Sequence, residues 1–231
     1  MMETLTLATF FILFTLTAYF FMNLLYIRFH YSFLMPALTA TLIIVLFLLA
    51  SGTSYDRYMI GGEWIDRMLG PAVVSLAIPL YKQRKLLVDN LVPILTGIFA
   101  GVVIGMSTGV ALAKAFGFSE LLILSLLPKS ITSPVAMELA AQLGGIPSLA
   151  AVFVMIAGFS GIIIGPAFLK LLRIDTSIGI GMGLGASAHG IGTAKALEYG
   201  PREASVSSVA MSLSAVFGSF LAPVFVWIFF L

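Results

Sequence analysis

The 231-residue sequence contains no cysteine, which excludes disulfide bonds and thiol chemistry. It is also short of charge, since only 10% of its residues are Asp, Glu, Lys or Arg, against about 25% in a typical soluble domain. So few charges do not cover a water-facing surface, and a mean hydropathy of +1.12 points to lipid as the main solvent. Because the apolar runs are long and continuous rather than alternating, the sequence predicts membrane helices and not a β-barrel.

Six apolar stretches are predicted to be full membrane spans. They cover about 5–27, 33–51, 68–82, 90–113, 147–169 and 205–230. The first is too long for the core of a signal peptide, so we expect it to be retained. A polar loop is expected between the second and third spans, and the basic cluster at 82–85 is predicted to be cytoplasmic, with the N-terminus outside. Basic residues scattered between spans are typical of topology signals and not of a nucleic-acid surface.

The fourth span carries a glycine at every fourth position, at Gly97, Gly101, Gly105 and Gly109. At helical spacing these glycines line one face and let another helix approach closely. We interpret this face as a packing seam or a sliding surface and not as part of a ligand site.

Two polar, helix-breaking segments interrupt the second half of the chain, near residues 128–138 and 186–198. The sequence SPVAME at 133–138 aligns with TAKALE at 193–198, and GIIIGP at 161–166 parallels GSFLAP at 218–223. The two ordered matches predict that each break and the span after it are copies of one unit.

Topology decides what the repeat means. If 118–143 crossed the membrane fully, Lys170 and Arg173 would lie outside, whereas a re-entrant hairpin returns them to the cytoplasm. The second hairpin, 176–199, would then enter from the opposite side, and the copies would be inverted. Broken helices in inverted repeats are typical of transport sites. The predicted fold is therefore all-α, with about six full spans plus two re-entrant or broken-helix hairpins. It forms a single membrane domain over 1–231, with scaffold spans to about 115 and the two repeats over about 116–231.

The residues at the breaks suit a small polar anion. Ser133 before Pro134, and Thr193, are predicted to cap helix starts, where free N–H groups and the helix dipole attract a carboxylate. Lys129 and His189 add positive charge, and Ser187 adds a hydroxyl group. The predicted substrate-binding residues are Lys129, Ser130, Thr132, Ser133, Pro134, His189, Gly190, Gly192 and Thr193.

Glu138 and Glu198 are candidates for proton coupling, because a carboxylate at membrane depth usually faces a cavity, forms a pair or carries a proton. For Glu198, an ion pair with Lys195 three residues earlier is the structural alternative. His189, in turn, is read either as a ligand-binding residue or as a packing residue. No grouping of residues has metal-ligand spacing, and no serine lies in a nucleophile-elbow pattern, so neither a metal, a cofactor nor an enzymatic activity is predicted.

The sequences PKSITSPVAME at 128–138, AHGIGTAKALE at 188–198 and LGPAVVSLAIPLY at 69–81 resemble the LrgB/CidB family of bacterial membrane proteins, over essentially the whole chain. The resemblance implies a multi-pass protein of the bacterial inner membrane, made together with a smaller LrgA/CidA-like membrane protein and expected to form homo-oligomers. It implies two functions. One is holin-like or antiholin-like control of murein hydrolase activity and autolysis. The other is transport of small carboxylates of the pyruvate, lactate or glycolate type, as in the related plastidic glycolate/glycerate translocator. The paired polar breaks favour transport.

Overall fold

A computed structural model describes residues 2–29, 31, 34–75 and 77–230. All of the regular secondary structure in these residues is helical. The helices are α1 (Met2–Phe29), α2 (Pro36–Ser51), α3 (Tyr55–Asp66), α4 (Leu69–Ser75), α5 (Ala77–Lys82), α6 (Arg84–Asp89), α7 (Leu91–Ala115), α8 (Glu120–Leu126), α9 (Ser133–Leu143), α10 (Pro147–Leu171), α11 (Ser177–Ala196) and α12 (Pro201–Phe230). A 3₁₀ helix, Leu127–Ser130, lies between α8 and α9.

Four of the described helices, α1, α7, α10 and α12, are long and apolar enough to cross a membrane. They confirm the predicted spans at 5–27, 90–113, 147–169 and 205–230. The predicted span at 33–51 corresponds to α2, which has 16 residues and is shorter than the roughly 20 residues a straight span needs.

The region between the second and fourth predicted spans differs from expectation. The predicted polar loop is wrong, because its residues form α3, whose start is capped by Ser54 accepting a hydrogen bond from the N–H of Arg57 at 3.3 Å. The predicted span at 68–82 contains α4 and α5, of seven and six residues, on either side of Leu76, which lies outside the described residues.

The chain forms two compact units, residues 1–71 and 72–231. In the first unit, α2 and α3 both pack on α1. The rings of Phe14 and Phe47 lie 4.5 Å apart, and the hydroxyl groups of Thr15 and Tyr58 share a hydrogen bond of 3.0 Å. Apolar and aromatic packing with one interhelical hydrogen bond is typical of helices in lipid.

In the second unit, the first polar break folds the chain back on itself. The N–H of Ile146, just after α9, donates a hydrogen bond of 2.8 Å to Ser125 Oγ in α8. A Cβ added at Gly145 would lie only 2.8 Å from the backbone nitrogen of Ser125, so the glycine makes this close approach sterically feasible. Twenty helical residues in a straight line would separate these positions by about 30 Å. The stretch α8, 3₁₀ helix and α9 is therefore a hairpin.

The second polar break folds α11 back in a similar way. The helical backbone is interrupted at His189, where φ is 53° and ψ is −126°. Beyond it, a Cβ added at Gly192 would overlap the carbonyl oxygen of Leu184. These two residues would be about 12 Å apart along a straight helix. Residues 190–196 therefore turn back onto 177–188, and the break predicted at 186–198 is confirmed.

The glycines aligned in the two proposed repeats make reciprocal contacts. A Cβ added at Gly161 of α10 would lie 2.9 Å from Cβ of Ala188, at the second break. One added at Gly218 of α12 would overlap the side chain of Ile131, at the first break. α10 thus lies against the second break and α12 against the first.

Candidate functional site

A cavity of about 620 Å³ lies in the second unit, beside the first break. Its walls come from α7, the 3₁₀ helix, α10 and α11, and most of its lining is glycine, alanine or aliphatic. Its polar lining side chains are those of Lys129, Ser130 and Ser187. Lys129 is therefore the one charged side chain among the described residues that line the cavity.

The glycine face of α7 makes room for these groups. A Cβ added at Gly105 would lie 2.6 Å from Ser130 Oγ, and one at Gly109 would lie 3.0 Å from Lys129 Cε. Gly97, Gly101 and Gly105 themselves line the cavity, and no atom lies within 4 Å of a Cβ added at Gly101. This face therefore does more than the packing seam predicted from the sequence, because it also forms one wall of the candidate site.

Lys129 is half-buried and has no acidic partner. Its Nζ donates a hydrogen bond of 3.4 Å to Ser130 Oγ, and no carboxylate of the described residues lies within 4 Å of it. The 3₁₀ helix that carries it ends at Ile131, which is extended, with φ −135° and ψ 174°. The local break thus holds an unpaired cation at the cavity wall.

His189, at the second break, lies against the 3₁₀ helix. The imidazole is 2% exposed and lies against the backbone of Ser130, within reach of a hydrogen bond. The 3₁₀ helix that carries Lys129 packs against α11. The two polar breaks, 59 to 60 residues apart in the chain, are therefore brought together at the 3₁₀ helix.

None of the predicted substrate-binding residues of the second break, His189 included, lines the cavity. Thr193 does not cap a helix, contrary to prediction, because its hydroxyl group donates back to the carbonyl of His189 at 3.0 Å, within continuous helix. It also shares a hydrogen bond of 3.0 Å with Ser207 of α12. Gly190 is exposed and Gly192 packs on Leu184, so both shape the turn of the chain.

The start of α9 also differs from prediction. Thr132 occupies the capping position, with Ser133 as the first helical residue, and no side chain caps this end. The predicted capping role of Ser133 is therefore wrong, whereas the placement of Pro134 in the first turn is confirmed. Thr132 is buried, and none of these three residues lines the cavity.

The two candidate proton-coupling carboxylates do not face the cavity. Glu138 is exposed on α9 and accepts a hydrogen bond of 3.0 Å from Gln142. Glu198 forms an ion pair with Lys195, which confirms the structural alternative for that residue. Among the described residues, no group of three His, Cys, Asp or Glu side chains lies close enough to hold a metal ion.

Comparison with known proteins gives consistent matches over nearly the whole length. The model of the LrgB-like family matches residues 15–228. YxaC of Bacillus subtilis is 54% identical over 228 residues, which is 99% of each chain, and carries the description "uncharacterized protein". The "holin-like protein CidB" of Staphylococcus aureus is 39% identical over 219 residues, 95% of this chain and 96% of that protein. No solved structure matches. The family resemblance predicted from the two break motifs is confirmed, and the chain is an all-helical membrane protein that belongs to the LrgB-like family.

Proposed function

We propose that this protein is a membrane carrier for small carboxylate anions, which bind in the cavity beside Lys129. The observation that carries the proposal is an unpaired ammonium group on the wall of an otherwise apolar cavity. Removing a charge from water is costly unless an opposite charge compensates it. A bound carboxylate supplies that charge, and the unpaired lysine in turn selects anions over neutral molecules.

The hydroxyl groups and the apolar walls define the rest of the ligand. Ser130 offers a hydrogen bond to a carboxylate, keto or hydroxyl oxygen. Ser187 Oγ donates its proton to the carbonyl of Gly183 and can accept a hydrogen bond from a ligand hydroxyl group, while Ile98, Ile104 and Met182 suit a short aliphatic part. The cavity volume of about 620 Å³ falls within the roughly 300–1,000 Å³ of small-molecule sites. Pyruvate, lactate and glycolate combine these features.

The folded-back segments support a carrier more than a fixed pore. We infer that the hairpin of α8 and α9 is re-entrant, because its short arms return to one another and neither spans a bilayer. A hairpin entering from each side would bring the two breaks together near mid-membrane. Non-helical backbone at that depth is tolerated where it lines a cavity, as in transporters with inverted repeats.

A holin-like role is the second candidate, and the description of the Staphylococcus aureus relative favours it. In this role the protein would act with a small LrgA/CidA-like membrane protein to permeabilise the membrane or to control autolysis. Such a pore is built from oligomerised apolar helices and does not need an unpaired lysine on the wall of a largely apolar cavity. The two candidates therefore differ in whether flux saturates and in whether it depends on Lys129.

Purified protein in sealed liposomes, with and without its LrgA/CidA-like partner, separates the candidates. Labelled pyruvate, lactate and glycolate are supplied outside, and a trapped dye reports leakage. We expect saturable uptake for the carrier. A charged hydrogen bond contributes about 1.5–3 kcal/mol, so Lys129→Gln should raise the apparent KM roughly 10- to 100-fold. Lys170→Gln, an exposed lysine at the end of α10, is the matched control and should leave the KM unchanged.

Each opposite result has a distinct meaning. Leakage of dye without saturation, equal in Lys129→Gln, would replace the carrier with a pore. Saturable uptake that Lys129→Gln does not alter would place the binding site elsewhere. Uptake only with the partner present would assign the active carrier to the complex, and crosslinking of the two chains would then give their stoichiometry.

A further inference from the structure

The cavity beside the first break has a polar end and an apolar end, and both can be located along α7. At the polar end, a Cβ added at Gly105 would lie 2.6 Å from Ser130 Oγ. At the apolar end, a Cβ added at Gly97 would overlap Cε of Met182, the terminal methyl group of a side chain from α11. Both Ser130 and Met182 line the cavity. The two glycines are eight helical residues apart, so Ser130 Oγ and Met182 Cε are separated by about 12 Å along the helix axis.

The part of the cavity between Ser130 and Met182, which we call the tail slot, is open at its centre. Among the described residues, no atom that could obstruct it lies within 4 Å of a Cβ added at Gly101, midway between the two ends. Ile98 and Ile104 line the cavity on the same stretch of α7. The tail slot therefore presents glycine, aliphatic and thioether groups, which suit the hydrocarbon part of a ligand.

The charge of the cavity fixes how a carboxylate can lie in it. Lys129 Nζ lies 3.4 Å from Ser130 Oγ, so the ammonium group belongs to the polar end. Among the described residues that line the cavity, no second charged side chain is present to serve the end at Met182. A ligand whose carboxylate binds at Lys129 has room for the rest of its chain in the tail slot. A second carboxylate there would be a charge without a partner in apolar surroundings, which is costly.

Contact distances give the length of chain that the tail slot holds. Of the separation of about 12 Å, a hydrogen bond to Ser130 takes about 2.8 Å and van der Waals contact with Met182 takes about 3.8 Å. About 5.5 Å then remain between the carboxylate oxygen of the ligand and its last carbon. An extended chain advances about 1.2 Å per bond, so this length corresponds to four or five bonds, roughly an acid of four or five carbons.

We propose that the tail slot selects substrates by the length of their hydrocarbon chain, so that the protein favours straight-chain monocarboxylates of about four to five carbons and excludes dicarboxylates. The inference rests on the proposed carrier function. Lactate and pyruvate fit at the polar end but stop short of Met182. Each further methylene group that is removed from water in the tail slot should tighten binding by up to about fourfold.

Competition for uptake tests the proposal in the wild-type protein. Liposomes that contain the protein take up labelled lactate, and unlabelled straight-chain acids from propionate to heptanoate compete from outside, with a trapped dye to detect leakage. We expect the inhibition constant to fall by up to about fourfold per methylene group as far as pentanoate, and to rise again for heptanoate. Glutarate, which matches pentanoate in length but carries a second carboxylate, should compete roughly 100-fold more weakly. Pentanamide, which lacks the charge, should not compete.

Two variants should move the length limit in opposite directions. Met182→Ala shortens the side chain that closes the apolar end, so the best competitor should become hexanoate or heptanoate. Gly101→Ala adds a methyl group inside the tail slot, so it should weaken competition by pentanoate about fourfold or more while leaving that by glycolate unchanged. Met155→Ala is the matched control, because Met155 is a half-buried methionine of α10 outside the cavity lining, and it should leave the order of the acids unchanged.

The contrary results separate the tail slot from the carrier itself. A neighbouring cavity of about 430 Å³ shares Gly161, Gly183 and Ser187 with the first. A length preference that neither Met182→Ala nor Gly101→Ala alters would place the chain of the ligand in that cavity and overturn the proposal. Competition that strengthens steadily up to heptanoate, or that is equal for glutarate and pentanoate, would also overturn it while saturable lactate uptake left the carrier in place. Absence of saturable uptake by the wild type would overturn the carrier, and the tail slot with it.

Discussion

Replacing His189 by glycine and, separately, by alanine tests whether the kink in α11 is strained. Both variants lose the imidazole, so the difference between them reports on the backbone at φ 53° and ψ −126°. Alanine retains the strain of about 1–3 kcal/mol that a Cβ meets there, whereas glycine does not. Glycine loses about 0.5–1 kcal/mol more conformational entropy on folding than alanine. We therefore expect His189→Gly to be the more stable variant by about 1 kcal/mol.

The sign of this difference is the decisive feature, because an ordinary helical position shows the opposite order. Ala100 is an exposed residue within α7, and Ala100→Gly should lower stability by about 1 kcal/mol. Thermal unfolding of the detergent-solubilised variants measures both effects, at roughly 2–4 °C per kcal/mol for a chain of this size. If His189→Ala proves as stable as His189→Gly or more so, the kink is not strained at this residue. The backbone conformation would then no longer indicate that a side chain is kept at position 189 for a purpose.

Three further variants separate the cavity from the scaffold around it. The side chain added in Gly101→Leu extends into open space, so this variant should reduce carboxylate uptake to background without lowering the unfolding temperature. Ala100 does not line the cavity, so Ala100→Leu should leave both the uptake and the unfolding temperature unchanged. Gly185→Ala places a methyl group onto the carbonyl of Ser207 in α12 and should destabilise the fold by about 1–3 kcal/mol, seen as earlier thermal unfolding. Thr193→Val leaves the hydroxyl group of Ser207 without its partner and should cost about 1–3 kcal/mol of stability, while the KM for carboxylate stays unchanged; a raised KM would return Thr193 to the binding site.

Local sequence chemistry was sufficient to predict both helix breaks. Pro128 and Pro134 remove backbone donors and restrict the residues before them, which fixes the interruption between α8 and α9. The glycine-rich run of α11 weakens the helix by a different route, because glycine loses more conformational freedom on folding than other residues. Which residue bends could not be predicted from propensity, because the kink falls on His189 and not on Gly190, which follows it. Its place is set by tertiary contacts, namely the close approaches of Gly185 to Ser207 and of Gly192 to Leu184.

Which residues line the cavity is decided by contacts between helices, and these contacts cannot be read from the spacing of residues in the sequence. Glycines at every fourth position show that something approaches α7 closely, but not whether it is a helix or a polar break with a cavity. Glu138 was predicted to carry a proton because it lies within an apolar stretch of the sequence. The structure places its side chain on an exposed face of α9. Lys129 and Ser130, by contrast, were predicted from the polar break itself and do line the cavity.

The meeting of the two breaks also relates ligand binding to conformational change. Lys129 lies in the first polar break, and α11, which contains the second break, packs against the 3₁₀ helix that carries it. A ligand shifts a conformational equilibrium only by binding one state more tightly than another. A carboxylate bound at Lys129 would also lie beside Ser187 of α11, and would so favour the state in which the two breaks are close. The charge of the ligand, rather than its shape, would then drive the exchange between inward-facing and outward-facing states. Neutral analogues of the same size should consequently neither compete for uptake nor promote exchange.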